Sequence, residues 1–461
     1  MKTLLTPEYP TSLSYGIRKG GLIILILFLL VSSHGCKSPN EPEGGGKGSP
    51  GKLTSEDVSC TEAWLKINAG SLRLPSEVTI SRDGNPVARF NLSLKDTTIY
   101  DDSLQPGKDY TYQVEFSPGM KESLSIRTMD TTSHDFSWQT FRLGDYGTWI
   151  RDVAIINDTL IYAVGEIYKN FPNGQEDPKP YSLARWDGHS WSIKRLYYKY
   201  KDYQGQEVIA PNPIARILPF GENDIWLSSG SVFHWNGRDS IADLSFSRVS
   251  LTEDVDEGKS LDVIWGTSSN DIYAAGAKGT ILHFDGRKWQ VIESGTNLTF
   301  YDIWGGMNDS GTKPEVLAVG SIVATHSGSV IEKLDGLNAE QISTEGIPYN
   351  NTDVWFIPEK AYYVASGFLY YKHRLTDPSW TEISGLTDYS ITDIYGPDRN
   401  DIFVTTSYGN ILHFNGKSWK TNYNEVKLHG VVYSSVRLKN NLAVAVGGYP
   451  NYEGFIAIGR R

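Results

Sequence analysis

A motif of fixed spacing dominates the last two thirds of this chain. Asp271-Ile272-Tyr273-Ala274-Ala275-Gly276 is followed by Ile281-Leu282-His283-Phe284-Asp285-Gly286 and then Trp289. The order returns as Asp401-Ile402-Phe403, Ile411-Leu412-His413-Phe414-Asn415-Gly416 and Trp419. Aligned on the Asp-Ile-Tyr segment, the units start near Ile161, Asp224, Asp271, Glu315, Ala361, Asp401 and Leu442, at separations of 63, 47, 44, 46, 40 and 41 residues. A period of about 40–45 residues is that of one four-stranded propeller blade.

Apolar and polar residues alternate within each unit, and β-branched and aromatic types are enriched, so the segments read as strands. The first strand is Asp302-Ile303-Trp304 or Asp393-Ile394-Tyr395, the second runs from Asp271 to Gly276, the third from Thr280 to Phe284, and the fourth begins at Trp289. Between third and fourth strands stands Asp187-Gly188, Asn236-Gly237, Asp285-Gly286, Asp335-Gly336 or Asn415-Gly416. Such pairs supply the positive φ angles of a tight hairpin. The seventh unit has three strands, ending in Phe455-Ile456-Ala457-Ile458-Gly459, and no Trp-bearing fourth. Ser137-Trp138-Gln139-Thr140 matches Ser418-Trp419-Lys420-Thr421, so the strand around Trp138 is expected to complete the last blade and remove the open sheet edges. The spacing indicates seven blades; the irregular first two units leave six or eight open.

At 461 residues the chain is expected to divide into domains. Twelve of its 13 tryptophans lie from Trp138 onward, as the repeat requires. A net charge of -11 argues against a nucleic-acid surface, which needs clustered Lys and Arg.

Arg18 and Lys19 precede the apolar run Leu22 to Val31, and Ser32-Ser33-His34-Gly35-Cys36 follows. A basic flank and about ten apolar residues make a secretory signal too short to span a membrane. Its ending resembles a bacterial lipobox, which implies a lipid-modified Cys36 at the mature amino terminus; His34 departs from that pattern. The alternative is an ordinary signal peptide with an incidental cysteine. Cys60, the second of two cysteines, then has no internal disulfide partner and reads as a small buried hydrophobe. Lys37 to Lys52 is rich in Gly, Pro and Ser, a flexible tether. Gly46 to Lys52 has phosphate-loop spacing, but Leu53 replaces the Ser or Thr that holds magnesium and no strand precedes it.

From Val58 to Met129 the pattern changes. Val78-Thr79-Ile80-Ser81-Arg82-Asp83-Gly84 reads as strand then turn, and Leu104-Gln105-Pro106-Gly107 leads into Tyr110-Thr111-Tyr112. This segment resembles a fibronectin type III module, which implies a small β-sandwich with Tyr110 or Tyr112 packed inside. With the lipobox and the Trp-rich repeats, the chain resembles a group of Bacteroidetes-like envelope lipoproteins. That resemblance implies a fold and an address rather than an activity.

Few residues point to chemistry. His234, His283 and His413 recur in three units, and Trp191, Trp289, Trp380 and Trp419 in four, so packing roles are expected. Asp152, Asp302, Asp353 and Asp393 each precede an apolar strand start, with Arg216 at the matching place of the second unit. They would form a partial ring around the channel, attracting a cation or raising one another's pKa, unless each bonds backbone amides. The first unit carries an insertion from Tyr168 to Tyr181, followed by Tyr197-Tyr198-Lys199-Tyr200-Lys201-Asp202-Tyr203. Tyr198, Tyr200 and Tyr203 would stack on sugars or dock a protein, unless they cover a neighbouring blade. Asp254-Val255-Asp256-Glu257-Gly258 resembles the start of a calcium loop without its later ligands.

The expectation is therefore an all-β chain: signal peptide over 1–35, tether over 36–56, fibronectin type III-like sandwich over 57–130 and β-propeller over 136–461. It is expected to be a monomer without cofactor or metal, anchored by lipid to the bacterial outer membrane. It would bind a protein or polysaccharide through one propeller face. The alternative is a glycan-active enzyme using carboxylates at the channel mouth.

Overall fold

The computed structural model describes residues 51–461 except 118, 202–203, 247–257, 323–326, 349, 427, 429 and 450–452. Cys36, Tyr203 and most of the calcium-loop-like segment lie outside the described residues. The chain divides into two compact units between Asp130 and Thr131.

The smaller unit is two antiparallel sheets. One holds Lys52–Val58, Ala63–Asn68 and Asp96–Asp101 in that spatial order. The other runs Asn85–Leu92, Ser76–Arg82, Asp109–Phe116, Met120–Arg127. The first strand starts at Lys52, inside the stretch whose composition reads as tether. Along Asp109–Phe116 every second side chain is buried, the period of two that a sheet with one inward face imposes. Tyr110, Tyr112, Val114 and Phe116 fill the core with Leu65, Ile67, Val78 and Ile80. The Tyr110 hydroxyl accepts the Gln105 N–H at 2.8 Å, and the Tyr112 hydroxyl donates to Asp101 at 2.5 Å. Arg82 grips the same carboxylate with both oxygens at 2.8 Å, so the buried hydroxyl and charge are satisfied together. Cys60 is buried, with its thiol 3.3 Å from the Asp130 carbonyl.

The described strands of the larger unit fall into seven sheets. Their innermost strands are Trp149–Asn157, Arg216–Gly221, Val263–Ser268, Thr299–Met307, Asp353–Ile357, Ile391–Asp398 and Val432–Lys439. Each packs on the next, and the last packs on the first, so the sheets form a closed β-propeller. The final blade is completed as the sequence required: Ser137–Leu143 pairs along its whole length with Gly454–Arg460, from Ser137 opposite Arg460 to Leu143 opposite Gly454. Among the described residues, blade two alone has six strands. The hairpin Tyr197–Lys201 and Glu207–Pro211 adds to its outer edge, parallel to Ile241–Phe246.

The hairpin turns revise one expectation. Gly188, Gly237, Gly286, Gly336 and Gly416 all take positive φ, but the Asp or Asn before each does not. In four of the five turns that residue acts through its side chain instead. Asp187, Asn236, Asp285 and Asn415 each accept the backbone N–H groups two and three residues ahead, at 2.8–3.0 Å.

The recurrent histidines join second and third strands. His234 meets Asp224 at 2.8 Å, His283 meets Asp271 at 2.7 Å, and His413 meets Asp401 at 2.9 Å. Blade four places Lys333 and Glu315 in the same relation at 2.7 Å. A polar pair between second and third strands thus recurs with its chemistry exchanged, which suits a packing role.

Blades three and four meet through Trp265 of one inner strand and Gly305 of the next. A Cβ on Gly305 would lie 2.5 Å from the Trp265 ring. Gly305→Ala is therefore expected to destabilise the propeller by about 1–3 kcal/mol. Urea unfolding would show this, and Trp265→Leu in the same background should recover part of the loss.

Candidate functional site

The inner strands surround a cavity of about 500 Å³. It is lined at one level by Asp152, Arg216, Asp302, Asp353, Asp393 and Arg437, so the chain does bring the expected carboxylates and Arg216 together. It extends to exposed Pro397, Lys439 and Asn440, at the turns between first and second strands. Asp152, Asp353 and Asp393 are buried, and Asp302 and Arg216 half-buried.

The carboxylates serve first to tie blades together. Each accepts a backbone N–H from the inner strand of the following blade. Asp152 takes that of Ile217 at 3.0 Å, Asp302 that of Val354 at 3.3 Å, Asp353 that of Ile394 at 2.5 Å and Asp393 that of Val436 at 2.7 Å. The donor is always the residue after the ring position, so one geometry is used four times. Inner-strand edges facing a channel have no further strand to pair with, and a short acceptor from the next blade satisfies them. Of the two readings of the ring, the backbone-amide one describes these contacts.

Charge at this level is mostly neutralised internally. Arg437 lies between Asp393 at 3.0 Å and Asp152 at 3.3 Å, with its guanidinium 5.2 Å from the Tyr395 ring centre. The Ser435 hydroxyl donates to Asp152 at 2.7 Å. Arg437 was not singled out from the sequence, because it stands two residues beyond the Asp position on a blade that carries Ser435 there. Burial pushes the Asp393 carboxyl up to about 6 despite Arg437 beside it. Asp353 rises well above the usual range through burial, then through repulsion from Asp302 and Asp393, and shares a hydrogen bond with Asp302. Arg216 has no carboxylate within 4 Å among the described residues; its Nη1 donates to the Ala215 carbonyl at 3.1 Å. Aromatic rings narrow one side of the cavity, where Trp304 of blade four meets Tyr395 of blade six edge-on at 5.6 Å. Among the described residues no group of three His, Cys, Asp or Glu side chains is disposed to hold a metal ion.

The tyrosine hairpin corrects the other expectation. Tyr198 is fully buried in the core shared by blades one and two, with its ring centre 3.9 Å from that of Phe233. Tyr200 packs half-buried on the same cluster. The reason is the pairing of this strand with Ile241–Phe246, which turns alternate side chains inward. Tyr198 therefore covers blade two and is not offered to a ligand. The insertion before it is pinned by an ion pair between Arg195 and Asp177.

A set of rings was missed. Tyr146, Phe171, Tyr389, Tyr408 and Tyr449 are the exposed Phe, Tyr and Trp rings among the described residues. All five lie on loops joining second to third strands or fourth strands to the next blade. Antiparallel pairing puts those two loop classes on one face, opposite the cavity mouth. A sequence cue existed at Ser407-Tyr408-Gly409 and Gly448-Tyr449, where a large ring occupies the tip of a hairpin.

Two predictions follow from burial. A carboxyl whose folded-state pKa lies above its unfolded value of about 3.9 favours the fold below about pH 4, and that contribution is lost as pH rises through the folded-state pKa. Propeller stability is thus expected to fall on this account from about pH 4 through about 6 and beyond. Asp353→Asn, which can still donate to Asp302 and accept from Ile394, should flatten that fall, whereas Asp353→Ala should cost about 1–3 kcal/mol. Urea titrations across the window would read both. The buried Tyr198 hydroxyl has no hydrogen-bond partner among the described residues. Tyr198→Phe should therefore be neutral or stabilising, while Tyr198→Ser should cost about 3 kcal/mol or more in the same assay.

No protein-family model matches the sequence, and no curated protein matches it. Among solved structures, the chain is similar to YCF48 bound to D1 peptide, at 15% identity and TM-score 0.49, over 72% of this chain and 99% of that one. It is also similar to YCF48 from Cyanidioschyzon merolae, at 10% identity and TM-score 0.47, over 69% and 98%. The WD40 β-propeller domain of Doa1 matches at 12% identity and TM-score 0.49, over 71% and 97%.

Proposed function

We propose that this chain is an exported, lipid-anchored binding or scaffold protein of the bacterial envelope. In this reading Cys36 carries the lipid, the fibronectin type III-like unit acts as a spacer, and the propeller engages a protein or polysaccharide through one face. The observation that carries it is the segregation of the exposed Tyr and Phe rings among the described residues to a single propeller face. Exposed rings gathered on one surface, rather than scattered, mark a recognition site.

The signal-like segment ending in Gly35-Cys36 supports the address. The two-sheet order of the small unit, and the Tyr110 hydroxyl bonded back to Gln105, support the fibronectin-like reading. The enzymatic alternative needs two carboxyl groups about 5–10 Å apart facing an open cleft. Here Asp152, Asp302, Asp353 and Asp393 each hold a backbone amide of the next blade, which favours binding over catalysis.

An affinity pull-down of the tagged protein from its own solubilised envelope tests this reading, run beside Cys36→Ala. The wild type is expected to fractionate with membranes and recover one stoichiometric protein or a polysaccharide. Cys36→Ala should leave the membrane fraction. Turnover of a recovered polysaccharide would instead establish the enzyme.

A further inference from the structure

The central cavity carries a second site, independent of the loop face. We propose that it holds a small monocarboxylate with an apolar body, whose carboxylate stands where Asp stands at other blade interfaces.

Strand register locates the vacant place. At four interfaces an Asp accepts the N–H of Ile217, Val354, Ile394 or Val436 on the next inner strand. These four donors sit opposite Leu227, Val364, Val404 and Ala445 of their second strands. Ile264 and Ile303 hold the same register, opposite Ala274 and Ala318, so their N–H groups face the channel in the same way. The blades before them carry Arg216 and Val263 where the others carry Asp. Among the described residues no side chain accepts either amide. Two neighbouring interfaces therefore present backbone donors that lack the acceptor used elsewhere in the ring.

Arg216 adds a charged donor at the same place. Its side chain lines the cavity, half-buried, and Nη1 donates to the Ala215 carbonyl at 3.1 Å. Asp152 of the preceding blade is not available to it. One Asp152 oxygen accepts the Ile217 amide at 3.0 Å, and the other meets the Ser435 hydroxyl at 2.7 Å and Arg437 at 3.3 Å. A half-buried guanidinium next to amides without acceptors is completed by an anion.

Charge and shape narrow the class. A cation has little to gain, because Asp152 and Asp393 already share Arg437, and Asp353 shares a hydrogen bond with Asp302. Asp152 and Asp302 flank the vacant place on blades one and four, so a second negative charge on the ligand would be repelled. A single carboxylate has the charge and the paired oxygens that the other interfaces use. Leu218, Ile264, Trp265, Ile303 and Trp304 line the cavity on blades two to four and give the rest of the ligand an apolar and aromatic wall. The volume of about 500 Å³ suits a small molecule.

The test is calorimetry on the full-length, detergent-solubilised chain in a buffer free of carboxylates. Benzoate, 3-phenylpropionate and 4-methylpentanoate are titrated, each beside its primary amide, with phenyl phosphate as the dianion. At least one acid is expected to bind, with its amide and phenyl phosphate weaker by about tenfold or more. Arg216→Gln should weaken the acid by about tenfold or more and leave the amide unchanged. Arg216→Asp supplies the missing carboxylate from the protein and should abolish acid binding. Lys439→Gln, which removes an exposed cation at the cavity mouth, should leave affinity unchanged. Tyr146→Ser on the loop face should also leave it unchanged. Binding of no acid, equal binding of acid and amide, retention in Arg216→Gln, or an equal loss in Lys439→Gln would overturn the proposal. The comparison of acid with amide is made on wild type, so it decides the matter even where an Arg216 variant folds poorly.

Discussion

The propeller depends on a bond between blades that a four-stranded sheet cannot make for itself. Each inner strand faces the channel with no further strand beyond it, and its amides must be satisfied or hydrated. The Asp at one position of the preceding blade does this, from Asp152 to the Ile217 amide around to Asp393 and the Val436 amide. The same carboxylates, drawn together by ring geometry, repel one another. Arg437 between Asp152 and Asp393, and the hydrogen bond between Asp353 and Asp302, relieve that repulsion. Interblade bonding therefore creates the acidic collar, whose perturbed pKa values are a consequence of assembly and no sign of catalysis in themselves.

Where a blade lacks the Asp, the contact changes kind. Blades two and three carry Arg216 and Val263 at this position, and blade seven carries Ser435, whose hydroxyl donates to Asp152 instead. The collar is thus asymmetric, and Arg216 lies on the side where the carboxylate-to-amide bonds are interrupted. On the other side Trp304 reaches Tyr395 across blade five and narrows the channel. The exposed Tyr and Phe rings lie instead on the loop face, away from the cavity mouth.

Much of the fold was legible in the chain itself. The Trp138 strand was expected to close the last blade because a seventh unit ending at Gly459 lacked a fourth strand, and Ser137–Leu143 occupies that place. The histidines were assigned to packing because they recur, and each meets a carboxylate on the adjacent strand. At Tyr198 the covering alternative holds, for a physical reason. Tyr197 to Tyr203 carries the densest run of rings in the sequence, but density does not tell which face of a strand turns inward. Parallel pairing with Ile241–Phe246 buried Tyr198 against Phe233. The rings that are exposed lie singly in the sequence, at Tyr146, Phe171, Tyr389, Tyr408 and Tyr449, and only ring closure gathers them.

Local rules therefore determined the strands, their turns, the period and the need for closure, because alternation, Asp-Gly and Asn-Gly turns and unpaired edges act over a few residues. What each repeated residue touches was decided by the tertiary structure. An Asp on one blade finds its amide about 40–65 residues away, at a distance set by closing seven twisted sheets into one ring. The same closure places second-to-third and fourth-to-first loops on one face, and so turns five scattered rings into a surface.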